Sequence, residues 1–234
     1  MNIVITGASR GIGFATALAL ASNGNHNIVA IARSEDGLAK LKSQLPHDSP
    51  SQLSTLSFDL AKKDYSTLVN DIDKILNGQV DVLINNAGYL INKSFLELSD
   101  EDWQLMFDIN VIAIARLSKA LYPLLRKSKT AHIVNIGSMG GVQGTEKFAG
   151  LSAYSTSKGA VNTLTEVMAK EFENDNIKVN CINPGAVQTE MLAQAFPGYQ
   201  ADVLPQDIGK YIATFAVSGH TVMNGRLHEV SLRG

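Results

Sequence analysis

A single cysteine, Cys181, stands among 234 residues, so no disulfide can form within the chain. It lies in the apolar run 177–182 and reads as a small buried hydrophobe rather than a reactive thiol. No apolar stretch approaches the roughly 20 residues that a membrane-spanning helix needs. There is no block of basic residues, and a formal net charge of −2 offers nothing to a nucleic-acid backbone. His132, His220 and His228 share no spacing pattern and read as structural or exposed. Internal repeats and low-complexity linkers are lacking, as is a charged leader with an apolar core and cleavage site before the strand-like Ile3-Val4-Ile5. These absences lead us to expect a cytoplasmic protein of one domain, residues 1–234, that binds neither nucleic acid nor membrane. With 45% hydrophobic and 18% charged residues, the chain has enough apolar material for a sizeable core.

The pattern along the chain is alternation. Short β-rich runs at 2–6, 27–32, 53–58, 80–84, 132–136, 178–182 and 226–232 alternate with helical patterns at 12–22, 35–44, 65–76, about 99–127, 153–173 and 206–217. That order predicts a parallel sheet with helices on both faces. The polar stretch 46–52 contains two prolines and reads as a surface loop. Ser99 and Asp102 have capping-box spacing at the start of the longest helix, and Pro123 is expected to bend that helix or to mark its final turn. Residues 184–204 read as irregular or briefly helical.

Three local features carry chemistry. The first strand ends in Thr6-Gly7-Ala8-Ser9-Arg10-Gly11-Ile12-Gly13. Glycines at a strand-to-helix junction permit a tight turn, let backbone N–H groups approach a pyrophosphate, and let helix and strand pack closely. Taken alone the pattern is weak, since glycines often serve only the turn. The second feature is Tyr154-Ser155-Thr156-Ser157-Lys158, which opens a helix. Residues four apart share a helix face, so the Lys158 ammonium can sit beneath the Tyr154 phenol, whose ordinary pKa of about 10 a neighbouring positive charge lowers. Tyr and Lys at this spacing are common on amphipathic helices, and the pair by itself does not define a site. The third is Asn110, an amide in a mostly apolar helix, awkward unless it is used.

The full set of motifs, in order, resembles the short-chain dehydrogenase/reductase family from Thr6 to about Thr189. It comprises Thr6 to Gly13, Asp59 after the third strand, Asn85-Asn86-Ala87-Gly88 after the fourth, Asn110, Ser138 after the fifth, Tyr154-x-x-x-Lys158, and Pro184-Gly185 after the sixth. The resemblance implies an α/β, doubly wound Rossmann-type fold with about seven parallel strands and a nicotinamide dinucleotide across their C-terminal ends. It implies an oxidoreductase interconverting a carbonyl and a secondary alcohol. Tyr154 would be the general acid/base and Ser138 the group orienting the carbonyl oxygen. Lys158 would lower the Tyr154 pKa and bind the nicotinamide ribose, and Asn110 would hold a relay water. Cofactor contacts would come from Gly7, Ser9, Arg10, Gly11, Ile12, Gly13, Arg33, Ser34, Asp59, Leu60, Asn86, Ala87, Gly88, Tyr154, Lys158, Pro184, Gly185, Val187 and Thr189. Several of these have plainer readings, Asp59 as a strand-end surface acid and the Asn85 to Gly88 run as a turn.

In NAD-binding relatives an acid about 20 residues beyond the glycine loop grips the adenine ribose. Here Arg33 stands 20 positions after Gly13, and with Arg10 and Ser34 it favours NADP(H) over NAD(H). The alternative has Glu35 or Asp36 reaching back to the ribose, but the helix dipole already explains first-turn acids. Tyr89, Met139, Phe148, Leu151, Met191, Phe196 and Tyr199 are candidate substrate-lining residues, mostly apolar, with a substrate loop at about 186–205. The likeness also leaves open a 3-oxoacyl thioester reductase and, in another class, a non-enzymatic dinucleotide sensor. An epimerase of the extended relatives needs more than the 49 residues that follow Gly185.

Two departures stand out. Ser138 and Tyr154 are 16 positions apart, which implies an insertion around 145–148, and the chain ends Val230-Ser231-Leu232-Arg233-Gly234 without the acidic-glycine ending of many relatives. The helices carry apolar residues beyond the needs of one sheet face, Leu105, Ile112, Leu117, Leu164 and Val167, and the resemblance implies that such helices pair across a two-fold axis, so a homodimer or homotetramer is expected.

Overall fold

The computed structural model describes residues 1–46 and 48–232. His47 in the 46–52 loop, and Arg233 and Gly234 at the end, lie outside the described residues. In chain order the elements are β1 (Asn2–Thr6), α1 (Gly11–Ser22), β2 (Asn27–Ala32), α2 (Glu35–Ser43), β3 (Gln52–Ser57), α3 (Ser66–Ile75), β4 (Val82–Asn85) and α4 (Asp100–Phe107). After a π turn at Asp108–Ile112 come α5 (Ala113–Leu125), β5 (His132–Ile136), α6 (Ser152–Glu171), β6 (Lys178–Pro184), α7 (Glu190–Ala195), α8 (Pro205–Ser218) and β7 (Leu227–Val230).

The strands form one parallel sheet in the order β3-β2-β1-β4-β5-β6-β7. Side chains alternate across each strand, so β1 feeds two cores. Ile3 and Ile5 face one core with Leu20, Ile208 and Ile212 of α1 and α8. Val4 faces the other with Leu68, Leu117 and Met168 of α3, α5 and α6. Burial on both faces is why β1, β2 and β4 read as continuous apolar runs. The order reverses between β1 and β4, and at such a switch point the loops leaving the strands' C-terminal ends part and open a crevice.

The expected long helix is divided. Ser99 and Asp102 do form the capping box, but α4 gives way at Asp108–Ile112 to the π turn before α5 resumes. Asn110 sits in this turn, wholly buried, with its amide bonded to neighbouring segments. Satisfying a buried amide this way competes with regular helical register. Pro123 falls in the last turn of α5, which ends at Leu125. Strand β6 runs two residues beyond expectation, to Pro184, because β7 pairs with it as far as the Pro184↔Val230 register, while β7 itself is shorter than 226–232. Among the described residues no helix is long and apolar enough to cross a membrane.

Candidate active site

The loop after β1 is fixed by backbone conformation and by close approach. Gly7 has φ +68°, a left-handed value that favours glycine. At Gly13 a Cβ would lie 2.3 Å from Asn86 Nδ2 and 2.4 Å from the Gly7 carbonyl oxygen. Asn86 Nδ2 donates to the carbonyls of Thr6 (2.9 Å) and Gly7 (3.3 Å), and the Thr6 hydroxyl oxygen accepts the Asn86 and Ala87 N–H groups, both at 3.0 Å. The glycine loop and the Asn85 to Gly88 turn are thus one hydrogen-bonded unit at the switch point. Asp59 caps its own turn by accepting from Ala61 N–H at 3.0 Å.

A cavity of about 780 Å³ opens over the C-terminal ends of β1 to β6. Of the site residues singled out from the sequence, all but Asn110 and Gly13 border it, and so do all seven candidate substrate-lining side chains. Its position and size suit an elongated ligand. At one end stand Ser9, Arg10, Arg33 and Ser34, and at the other Ser138, Tyr154 and Lys158.

Ser138 follows β5, and its hydroxyl oxygen accepts the Gly140 N–H at 3.2 Å. The Ser138 hydroxyl is near enough to the Tyr154 phenol to act on its pKa, and both side chains border the cavity. Lys158, buried one turn further along α6, places Nζ 5.9 Å from the centre of the Tyr154 ring and donates to the Ile136 carbonyl at 2.8 Å.

One expectation is corrected. Burial pushes the Tyr154 phenol above its ordinary pKa, with the Ser138 hydroxyl acting in the opposite direction, so the expected lowering does not result. Burial also pulls the Lys158 ammonium down to about 8, which still leaves it mostly charged at neutral pH. The Asn110 side chain, in turn, is occupied by protein. Its Oδ1 accepts from Tyr89 N–H (2.8 Å), and its Nδ2 donates to the Tyr89 carbonyl and to Ser157 Oγ, both at 2.9 Å. Asn110 therefore clamps the segment after β4 to α6.

Sequence reading overlooked Lys40 and Glu190, which also border the cavity. Glu190 Oε2 is 3.0 Å from Arg10 Nη1. Neither residue belongs to a motif, and only the packing of α2 and α7 brings them in. Ser34 caps α2 by accepting from Gly37 N–H at 3.1 Å, which leaves its hydroxyl hydrogen free to donate. Glu35 and Asp36 are not among the residues that border the cavity.

The long segment between Ser138 and Tyr154 folds back on itself. Thr145 Oγ lies 2.7 Å from the Met139 carbonyl and 3.0 Å from that of Val142, and Lys93 N–H donates to the Gly150 carbonyl at 3.0 Å. This brings Phe148 and Leu151 to the cavity wall.

The profile of the family described as short chain dehydrogenase matches residues 1–200. An uncharacterized oxidoreductase of Staphylococcus saprophyticus is 39% identical over 197 residues, covering 81% of this chain and 75% of the relative. Among solved structures, L-sorbose reductase from Gluconobacter frateurii, complexed with NADPH and L-sorbose, superposes with a TM-score of 0.85 at 27% identity, covering 100% of this chain and 97% of that one. A 3-ketoacyl-(acyl-carrier-protein) reductase from Brucella melitensis, complexed with NADH, shares the fold with a TM-score of 0.86 at 22% identity over 98% and 96% of the two chains. Sequence profile, fold and the order of strands and motifs around the cavity agree, and the chain belongs to the short-chain dehydrogenase family of oxidoreductases.

Proposed function

We propose that this oxidoreductase interconverts a carbonyl compound and a secondary alcohol with NADP(H), using Tyr154 as general acid/base. The observation that carries the reading is the grouping of Ser138, Tyr154 and Lys158, with Lys158 Nζ 5.9 Å from the Tyr154 ring centre, at one end of a cavity whose other end presents Arg10 and Arg33.

The residues fit a nicotinamide dinucleotide. The space that a Cβ at Gly7 or Gly13 would fill is taken by the tight loop-to-turn contact, and the loop's N–H groups stand at the N-terminus of α1, where a pyrophosphate is favoured. An ammonium has three donors, and the Lys158 bond to Ile136 leaves others for ribose hydroxyls. When bound, the dinucleotide supplies or accepts the hydride. Tyr154 gives its phenolic proton to the carbonyl oxygen during reduction, or takes it from the alcohol during oxidation. Ser138 donates a hydrogen bond that holds that oxygen within reach. A Tyr154 pKa raised by burial keeps the phenol protonated at neutral pH, which suits reduction. The apolar walls from Phe148, Leu151 and Phe196 favour an uncharged aliphatic or aromatic carbonyl.

Preference for NADP(H) rests on charge. Arg33 is exposed at the cavity and Lys40 borders it as well, while the two nearby acids of α2 stay away from it. The L-sorbose reductase neighbour holds NADPH, in keeping with this choice. NADPH consumption measured against ketones, aldehydes, quinones, sugars and 3-oxoacyl thioesters tests the reading. It predicts turnover with at least one class, and binding of NADPH without turnover of any would favour a dinucleotide sensor instead.

A further inference from the structure

Ser138 is held from behind by a residue that does not border the cavity. The last backbone bond between β5 and β6 runs from Gly137 N–H to the Ile182 carbonyl at 2.8 Å. One residue later the chain leaves the sheet, and the Ser138 N–H is taken by a side chain, Asn183 Oδ1, at 2.9 Å. Asn183 is wholly buried in β6, where its backbone is in register with Glu229 of β7. Its carboxamide reaches across Gly137, where a Cβ would lie only 2.0 Å from Oδ1. The missing side chain at position 137 and the amide at position 183 therefore fill the same space.

The other half of that amide is not used structurally. Asn183 Nδ2 is buried and has no hydrogen-bond partner among the described residues. Unpaired buried donors destabilise a fold and are rare, so Asn183 is poorly explained by stability. An apolar side chain of similar volume would avoid the orphan N–H but would release the Ser138 backbone.

We infer that Asn183 is a positioning residue for carbonyl reduction, fixing the backbone of Ser138 so that the Ser138 hydroxyl meets both Tyr154 and the carbonyl oxygen. The inference rests on the role proposed above for Ser138. Small misplacements of a reacting group are expensive, about 100-fold for roughly 1 Å, and Ser138 has a second anchor at Gly140. Asn183→Leu is therefore expected to lower kcat by about 10- to 100-fold, with KM and the NADPH dissociation constant little changed.

A double-mutant cycle tests it, with turnover measured for wild type, Ser138→Ala, Asn183→Leu and the double variant. If Asn183 acts through Ser138, the leucine change costs less than about 2-fold in the Ser138→Ala background, because coupled residues are non-additive. Asn183→Asp, which keeps an oxygen at Oδ1, is expected to recover much of the turnover that leucine loses. Should Asn183→Leu fold poorly, Asn183→Ser, too short to reach the Ser138 N–H, enters the same cycle. Equal losses in both backgrounds, or wild-type turnover in Asn183→Leu, would overturn the inference. A Ser138→Ala enzyme with undiminished turnover would instead overturn the role of Ser138 itself.

Discussion

Arg10 Nη1 lies 3.0 Å from Glu190 Oε2, joining the glycine loop to the first residue of α7, two segments 180 positions apart that border the same cavity. Both side chains are more than half exposed, so the pair contributes little stability, about 0–1 kcal/mol. Its interest lies in competition. A 2′-phosphate reaching Arg10 must share it with the Glu190 carboxylate. Glu190→Gln should therefore tighten NADPH binding by up to about 5-fold and leave NADH binding unchanged. Looser NADPH binding in this variant would mean that Glu190 holds Arg10 in place for the phosphate.

Arg33 has no described ion-pair partner and stands exposed at the same end of the cavity. A hydrogen bond to a charged group is worth roughly 1.5–3 kcal/mol, so Arg33→Ala should weaken NADPH binding by about 10- to 150-fold. Titration with both coenzymes checks this. Equal losses for NADPH and NADH, or a wild type that prefers NADH, would show that Arg33 does not read the phosphate.

Tyr154→Phe should reduce carbonyl turnover by about 10²- to 10⁴-fold, the usual contribution of general acid catalysis, while NADPH binding stays nearly intact. The raised Tyr154 pKa adds a direction. Reduction needs the protonated phenol and should hold its rate through neutrality, whereas alcohol oxidation needs the phenolate and should rise with pH. A pH profile that falls in reduction between pH 6 and 8 would contradict the placement of the acid.

The sheet and its ends were legible in the sequence because strands buried on both faces read as apolar runs, and because Gly7, Ser138 and Gly185 each follow one of them. Electrostatics were not legible. Tyr and Lys four apart say that the groups meet, but the balance between attraction and desolvation depends on helices packed around them. Asn110 was rightly singled out as a buried amide that is used, yet its partners, Tyr89 and Ser157, lie 21 and 47 positions away. Asn183 was invisible for the same reason, since its partner Ser138 is 45 positions earlier.

Assembly is the fourth expectation. Of the five apolar residues proposed for an interface, Leu117 belongs to the core beneath α5 and Leu164 is partly buried against it. Leu105, Ile112 and Val167 remain exposed on α4, the π turn and α6. Pairing of these helices across a two-fold axis would cover them, and light scattering at micromolar concentration should give at least a dimer mass. Val167→Lys should shift that mass toward the monomer, and an unchanged mass would place the interface elsewhere.

The last expectation concerns acid stability, and it comes from β5. His132 is wholly buried, with Nδ1 2.9 Å from the Ala216 carbonyl and Nε2 3.0 Å from Asn180 Nδ2. The carbonyl can only accept, so Nδ1 carries the hydrogen, and Nε2 accepts from the amide. Asn180 cannot turn over, because its Oδ1 accepts from Arg226 N–H and its Nδ2 also donates to the Met223 carbonyl. A second proton on His132 would break this arrangement, and burial holds its pKa down to about 4. The neighbouring rings disfavour it further. His220 lies 5.8 Å from His132 and His228 packs on Phe215, and burial lowers both of their pKa values too. The unfolded chain takes up these protons near pH 6.5 and the folded chain does not, so stability is complete above that pH and falls as pH drops toward 4. For His132 alone the loss approaches about 3 kcal/mol. Urea unfolding followed from pH 7 to pH 4 should show it, and His132→Phe should be less stable at pH 7 but flatter in its pH dependence. An equal slope in wild type and variant would remove His132 as the source.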